Sequence, residues 1–325
     1  MGDPAGCGPQ IAAKAWQQRQ EHGLAPFFVL ADPDLYSGDI PVAEISCAAD
    51  AMDTFERALP VLPLTLPGLK DLQVGAPNTA YAPTITASIS KATELCLSGE
   101  AAAIVTNPIN KAVLYEAGFS FPGHTEFIAD LCSTKETLVK PVMMLVGGGL
   151  RVALASIHVP LMRVLDHLTP DALLQTARIT HTDLVKRFGI KAPKLAFSGL
   201  NPHAGEDATI GTEERDIINP VASRLRKEGI NISDARPGDT VFHEALSGNF
   251  DAVIAMTHDQ GLIPVKTLDM WGGVNTTLGL PIVRTSPDHG TAYDAAAHSA
   301  CRPDSLIAAL KLANDMTKVR EQTGV

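Results

Sequence analysis

Short, unbroken apolar runs separated by longer segments of helical period most constrain what this chain can become. Residues 27–31, 101–106, 194–198, 251–256 and 281–285 read as strands. Their hydrophobicity is continuous rather than alternating, which is the pattern of strands covered on both faces. Helical segments are expected at about 9–22, 84–98, 170–188, 212–228 and 305–318. Pro9 and Pro170 stand near helix starts, and Gly99, Gly189 and Gly229 just past helix ends, the usual asymmetry. Such alternation predicts an α/β protein with a largely parallel sheet. Residues 142–158 differ: two strand-like stretches flank Gly147–Gly149, a hairpin pattern. The 325 residues are enough for one large domain or two. No linker-like stretch divides them, so two domains imply that the chain crosses more than once.

Charge narrows the partners. With 26 Lys and Arg against 36 Asp and Glu, the net charge is −10, and a field of that sign repels nucleic acid and anionic membrane surfaces. A small anion remains a possible ligand if a local basic cluster holds it. Five cysteines without CxxC spacing point to a reducing compartment rather than a disulfide framework. No apolar run reaches membrane-spanning length and no signal-peptide pattern opens the chain, so a cytoplasmic protein is expected.

Three histidines carry the strongest chemical signal. His158, His203 and His258 each follow the carboxyl end of an expected strand, the edge where open α/β sheets bind ligands. Three imidazoles meeting there suit a divalent metal of the zinc or cobalt type with positions left open. A single histidine is more often a hydrogen-bonded structural group; the shared position is what favours the metal. Lys111, Lys266 and Arg284, with Asn275 nearby, are candidate anion contacts, since Arg presents a planar fork and Lys a point charge. Ordinary solvated charges are the alternative. Gly123–Phe127 has the look of a loop entering a helix with Thr125 as its cap. Gly2, Gly6 and Gly8 let backbone approach an anion or form a plain tight turn, and their spacing matches neither nucleotide-binding glycine motif. The loop 288–292 is open to a buried-loop or a nucleotide-contacting role.

Taken together, GDPAGCGP, TNPINK, PGHTEF, ASIHVPL, GLNPHAGE with GTEE, MTHDQGL, GGVNTTLGLP and RTSPDHGTA run in order through nearly the whole chain. In this it resembles the 4-hydroxythreonine-4-phosphate dehydrogenase family of pyridoxal phosphate biosynthesis. The resemblance implies two α/β/α lobes with a cleft between them, as in isocitrate and isopropylmalate dehydrogenases. Residues 1–128 with 286–325 would form the cofactor-side lobe, and 129–285 the lobe with the metal ligands and dimer interface. It implies a homodimer with the active site at the interface, and NAD-dependent oxidation of 4-phosphohydroxy-L-threonine at C3, followed by decarboxylation to 3-amino-2-oxopropyl phosphate. By the same resemblance, His158, His203 and His258 hold zinc, cobalt or magnesium. His124, Thr125, Lys266, Asn275 and Arg284 contact the phosphorylated substrate, Lys266 and His124 are the catalytic candidates, and Asp288, His289 and Gly290 face the cofactor.

The chemistry is coherent. A chelated metal lowers the pKa of a substrate hydroxyl and polarises the ketone that follows. Lys266 and Arg284 neutralise acid groups that a net-negative protein would repel, and nicotinamide carries the redox step. A paralogue acting on erythronate or threonate 4-phosphate, and a catalytically silent binding protein, are the competing readings.

Two departures from the family pattern stand out. Family members commonly carry a strand before GDPAG, whereas this sequence opens inside that motif. The usual D-I-A-G-x-G-x-A reads here as 294–301 with Ala297 and Ser299 at the glycine positions. Each replacement adds strain of about 1 kcal/mol if its backbone must be left-handed.

Overall fold

Eleven strands lie among the described residues. They are β1 (Val29–Ala31), β2 (Val42–Glu44), β3 (Leu59–Pro63), β4 (Ala103–Val105), β5 (Val142–Gly147), β6 (Leu150–Leu154), β7 (Lys194–Ser198), β8 (Asn231–Arg236), β9 (Ala252–Ala255), β10 (Val274–Leu278) and β11 (Val283–Pro287). The computed structural model describes residues 1–36, 38 and 40–323, so the last two residues of the expected cofactor-side lobe lie outside it. The chain forms two units: Met1–Lys140 with Leu280–Asp315, and Pro141–Gly279 with the chain end from Met316. The boundaries at 140/141 and 279/280 replace those expected at 128/129 and 285/286. Packing explains the change. The helix His124–Cys132 buries Ile128, Ala129 and Cys132 in the first unit's core, and Leu280 and Ile282 join them there. Arg284 therefore belongs to the first unit.

In the first unit β1, β3 and β2 pair in that order, all parallel, and β4 pairs with β11 in parallel. The helix Gly8–Gln17 buries Ile11, Ala12, Ala15 and Trp16 in a core that also holds Val29, Leu59 and Val61. Its Trp16 indole donates to the Phe55 carbonyl at 2.8 Å, so the ring is buried without an unmet donor. A second core gathers Ile85 and Ile89 of the helix Ala82–Ser98 with Ile104, Leu114 and Ile128.

In the second unit the strand order is β10-β5-β6-β9-β7-β8. The first two pairings are antiparallel and the rest parallel. The expected hairpin is present: Gly147 pairs with Leu150 across Gly148 (φ 58°) and Gly149 (φ 85°). Both turn residues are left-handed, which matches the twist of the strands they join. The helix Pro170–Phe188 forms where expected, with Thr169 accepting from the Ala172 amide at its start and Gly189 left-handed at its end. It buries Leu173, Leu174, Ala177 and Leu184 in a core shared with Met144, Phe197 and Ile254.

Two expected helices are interrupted. The segment 9–22 breaks at Gln18 into Gly8–Gln17 and Arg19–His22. The segment 212–228 opens with the wide turn Glu214–Ile218 before Asn219–Lys227, because Pro220 has no N–H to donate four residues back. Among the described residues, no helix is long and apolar enough to cross a membrane.

Candidate active site

The first unit gathers basic groups locally around His124: Arg284 and Lys111 both act on it. Arg284, on β11, is only 3% exposed and donates to the Thr106 hydroxyl at 2.8 Å. Burial lowers its pKa to about 10, against an upward pull from Glu126, so it stays a cation at neutral pH. His124 opens the helix His124–Cys132 with Gly123 as N-cap, so Thr125 sits in the first turn and is not the cap. No side chain caps this helix, and its first amides are free to face an anion. The His124 Nε2 is buried and has no hydrogen-bond partner among the described residues. Burial, then Arg284, the amino terminus and Lys111, hold its pKa well below the ordinary 6.5. It is a neutral imidazole beside fixed cations. Lys111 lies over the same helix start: a Cβ on Gly123 would fall 3.2 Å from its Cε.

Packing requires the opening glycines. A Cβ on Gly2 would meet the Asn107 Cβ at 2.7 Å, one on Gly6 the Thr291 carbonyl at 2.9 Å, and one on Gly8 the Met1 carbonyl at 2.5 Å. The segment is pressed between the TNP loop and the DHGTA loop. Asn107 donates to the Met1 and Gly8 carbonyls, and Thr291 accepts from the Cys7 amide. Asp3, 1% exposed, accepts from the Ala5 amide and the Tyr293 hydroxyl.

In the expected cofactor loop, Asp288 is half-buried while His289 and Gly290 are exposed. A Cβ on Gly290 would meet nothing within 4 Å, so protein packing does not require that glycine and the backbone is open to a ligand. Farther along, Ser299 is left-handed at φ 54°, as is Ala292 at φ 47°. Ala297 ends the helix Tyr293–Ala297 with ordinary backbone. Of the two non-glycine replacements, Ser299 alone is strained. Its carbonyl and that of Cys301 accept from the Lys14 ammonium at 3.1 and 2.7 Å.

In the second unit the three histidines leave the carboxyl ends of three adjacent parallel strands. His158 follows β6, His258 follows β9, and His203 follows β7, in the sheet order β6-β9-β7. Side-chain hydrogen bonds lace these ends together. Ser156 donates to the Met256 carbonyl at 2.6 Å, and Gln260 accepts from the Met256 amide at 2.8 Å while donating to the Gly199 carbonyl at 2.7 Å. The His158 and His258 rings stand 5.3 Å apart. His258 Nδ1 lies 2.8 Å from the Asp259 carboxylate; an N–H donated there leaves Nε2 as the ligating atom.

The expected triad is not assembled as such. Among the described residues no group of three or more His, Cys, Asp or Glu side chains could hold a metal ion. His158 and His258 come together, while His203 stands exposed in a loop with left-handed backbone, φ 53°. The donor chemistry itself fits zinc or cobalt, which favour imidazole; magnesium prefers oxygen and fits poorly.

Lys266 is half-buried on the helix that His258 opens, His258–Leu268. Gly261 lets that helix press on β6, since a Cβ there would come 2.4 Å from the Leu154 Cδ2. Asn275 lies on β10 opposite Leu145, its Oδ1 buried without a hydrogen-bond partner among the described residues.

Three residues that sequence reasoning passed over hold this edge: Gln260, Asn201 and Glu214. The paired glutamates of GTEE were the available signal. Glu214 is 3% exposed and binds the amides of Leu200 and Asn201 at 2.8 and 2.7 Å. It thereby anchors the loop of His203.

Comparison with known proteins agrees with this architecture. The profile of the pyridoxal phosphate biosynthetic protein PdxA family matches residues 24–313. A Methylorubrum populi relative named 4-hydroxythreonine-4-phosphate dehydrogenase is 50% identical over 326 residues, covering 98% of this chain and 93% of its own. One from Maricaulis maris with the same name is 49% identical, covering 98% and 97%. The crystal structure of 4-hydroxythreonine-4-phosphate dehydrogenase from Klebsiella pneumoniae superposes with a TM-score of 0.86 at 34% identity, covering 98% of both chains. A terephthalate 1,2-cis-dihydrodiol dehydrogenase from Burkholderia xenovorans is more distant, with a TM-score of 0.65 at 26% identity, covering 97% of this chain and 96% of that one. Fold and relatives alike define an α/β oxidoreductase. The chain belongs to the PdxA family of pyridoxal phosphate biosynthetic proteins.

Proposed function

We propose that this enzyme oxidises 4-phosphohydroxy-L-threonine at C3 with NAD and a divalent metal, with decarboxylation to 3-amino-2-oxopropyl phosphate, in pyridoxine 5'-phosphate biosynthesis. The observation that carries the proposal is the placement of His158, His203 and His258 at the ends of three neighbouring parallel strands. Zinc or cobalt is the better match to these donors, and the metal set is completed across the interface of a cytoplasmic homodimer. When bound, the metal stabilises negative charge on substrate oxygen and the nicotinamide accepts hydride.

The chain's own residues do the rest. Arg284, Lys111 and the free amides at the start of His124–Cys132 hold acidic groups of the substrate. His124, kept neutral by burial and by Arg284, orients substrate with Thr125 as a hydrogen-bonding partner rather than as a charge. Asn275 Oδ1 supplies an acceptor that nothing described in the protein uses. Lys266 Nζ exchanges the hydroxyl proton. Asp288, His289 and Gly290 contact the cofactor, on the exposed loop where Gly290 leaves space.

Steady-state NADH formation tests the reading. Turnover of 4-phosphohydroxy-L-threonine with zinc or cobalt, and little with erythronate or threonate 4-phosphate, is the expected result. The opposite preference would make the enzyme a paralogue. Saturable binding of the phosphorylated substrate without NADH formation would make it a binding protein.

A further inference from the structure

Among the described residues, Glu214 and Asp183 are the buried acidic side chains of the second unit. Asp183 has Arg187 beside it at 3.5 Å, whereas Glu214 directs its acceptors to one loop. Its Oε1 takes the Leu200 and Asn201 amides, and its Oε2 takes the Asn201 side-chain amide at 2.8 Å. That amide also donates to Glu213, whose carboxylate accepts the Thr212 amide as well. The loop closes on this pair from both ends: a Cβ on Gly205 would fall 2.8 Å from Glu214 Oε2, and one on Gly211 2.5 Å from Asn201 Nδ2.

Between these anchors the backbone is held where L-residues rarely stay. His203, Ala204, Glu206, Asp207 and Ala208 have φ of 53°, 53°, 41°, 55° and 69°. Such a run persists only when its surroundings over-determine it. His203 is two residues from Asn201, inside the tightest part of the clamp.

We propose that Glu214 is the positioning residue of His203: acting through Asn201 and Gly205, it keeps the loop left-handed and so sets where the imidazole stands. This rests on His203 being a metal ligand, and the experiment separates the two claims. Cobalt(II) is titrated into metal-stripped full-length protein and followed by its d–d absorption, for wild type, Glu214→Gln, Asn201→Ala and His203→Ala. Glu214→Gln keeps the Oε1 acceptor but turns a donor towards Asn201; Asn201→Ala removes the side-chain link and leaves both backbone bonds.

Each of these two variants is expected to weaken cobalt binding about 10- to 100-fold, the usual effect of losing a group that orients a ligand. An altered spectrum and faster hydrogen exchange at Leu200 and Asn201 should accompany the loss, with the remaining core protected. Folded variants that exchange faster yet bind cobalt like wild type would show a merely structural carboxylate and overturn the proposal. Wild type that binds no cobalt, or His203→Ala that binds it unimpaired, would overturn the ligand reading itself.

Discussion

The cationic cluster of the first unit and the histidine edge of the second solve opposite problems. Arg284 is sunk between sheet and helix at 3% exposure, and His124 presents a buried Nε2. Burial there makes one charge costly and one imidazole neutral. At the other edge His158 and His203 are exposed and His258 half-exposed. Their placement depends on the buried Ser156 and Glu214 and the half-buried Gln260. The first site is tuned by its own desolvation and the second by its scaffold. Ligand-facing substitutions should therefore act on charge in one unit and on geometry in the other.

His203→Ala gives the largest expected effect. It removes a donor without touching the core, so turnover should fall by about three orders of magnitude while the melting temperature holds. Metal content of the purified variant, measured by mass spectrometry, provides the check. Full activity after metal stripping would remove the second edge from the chemistry. Arg284→Ala comes next: kcat/KM should drop on the order of 10²- to 10³-fold through KM. Arg284→Lys should recover only part of it, because a point charge cannot reproduce the planar fork that donates to Thr106. An unchanged KM would leave the first cluster without its assigned anion.

Both edges were legible in the sequence to different depths. The apolar runs that became β7 and β9 needed no partner to be recognised, because unbroken hydrophobicity survives in any context. β3 (Leu-Pro-Val-Leu-Pro), β8 (Asn-Ile-Ser-Asp-Ala-Arg) and β10 (Val-Asn-Thr-Thr-Leu) were missed; prolines or polar residues hide strands whose pairing is tertiary. The helix His258–Leu268 contains Gly261 and Pro264, residue types that disfavour a helix interior. In the structure Gly261 is there so that the helix can touch β6. The three histidines were visible at the ends of expected strands, Arg284 within one, and His124 at an expected helix start. Glu214, Asn201 and Gln260 were not, since a buried acceptor declares itself only when the amides it binds are in view. Motif reading finds the groups that face a ligand better than those that hold them.

Acidification sharpens the comparison at smaller amplitude. His124 has a folded pKa below its unfolded value of about 6.5. Above that value both states are neutral and it contributes nothing to pH dependence. As pH falls below it, the unfolded chain binds a proton that the folded chain refuses, and stability declines by at most about 1.4 kcal/mol per pH unit. Urea unfolding at pH 7.5 and 5.5 should show that His124→Asn loses less stability on acidification than wild type. Equal losses would mean that the ring is solvated after all, and the first site's dependence on desolvation would fail with it.

The smallest effect distinguishes two residues that sequence reasoning treated alike. Ser299 is left-handed and Ala297 helical, so glycine should act in opposite directions at the two places. Ser299→Gly relieves strain and should stabilise by about 0.5–1 kcal/mol, whereas Ala297→Gly, at the end of a helix, should destabilise by a similar or smaller amount. Thermal melts of the two single variants settle the signs. If the strain at Ser299 also limits how the cofactor-side loop opens, Ser299→Gly will lower the KM for NAD while Ala297→Gly leaves it unchanged. Equal shifts in both would place the cause in loop flexibility rather than in the one backbone angle. Lys14, which grips the Ser299 and Cys301 carbonyls, would then be the group that decides how far that loop moves.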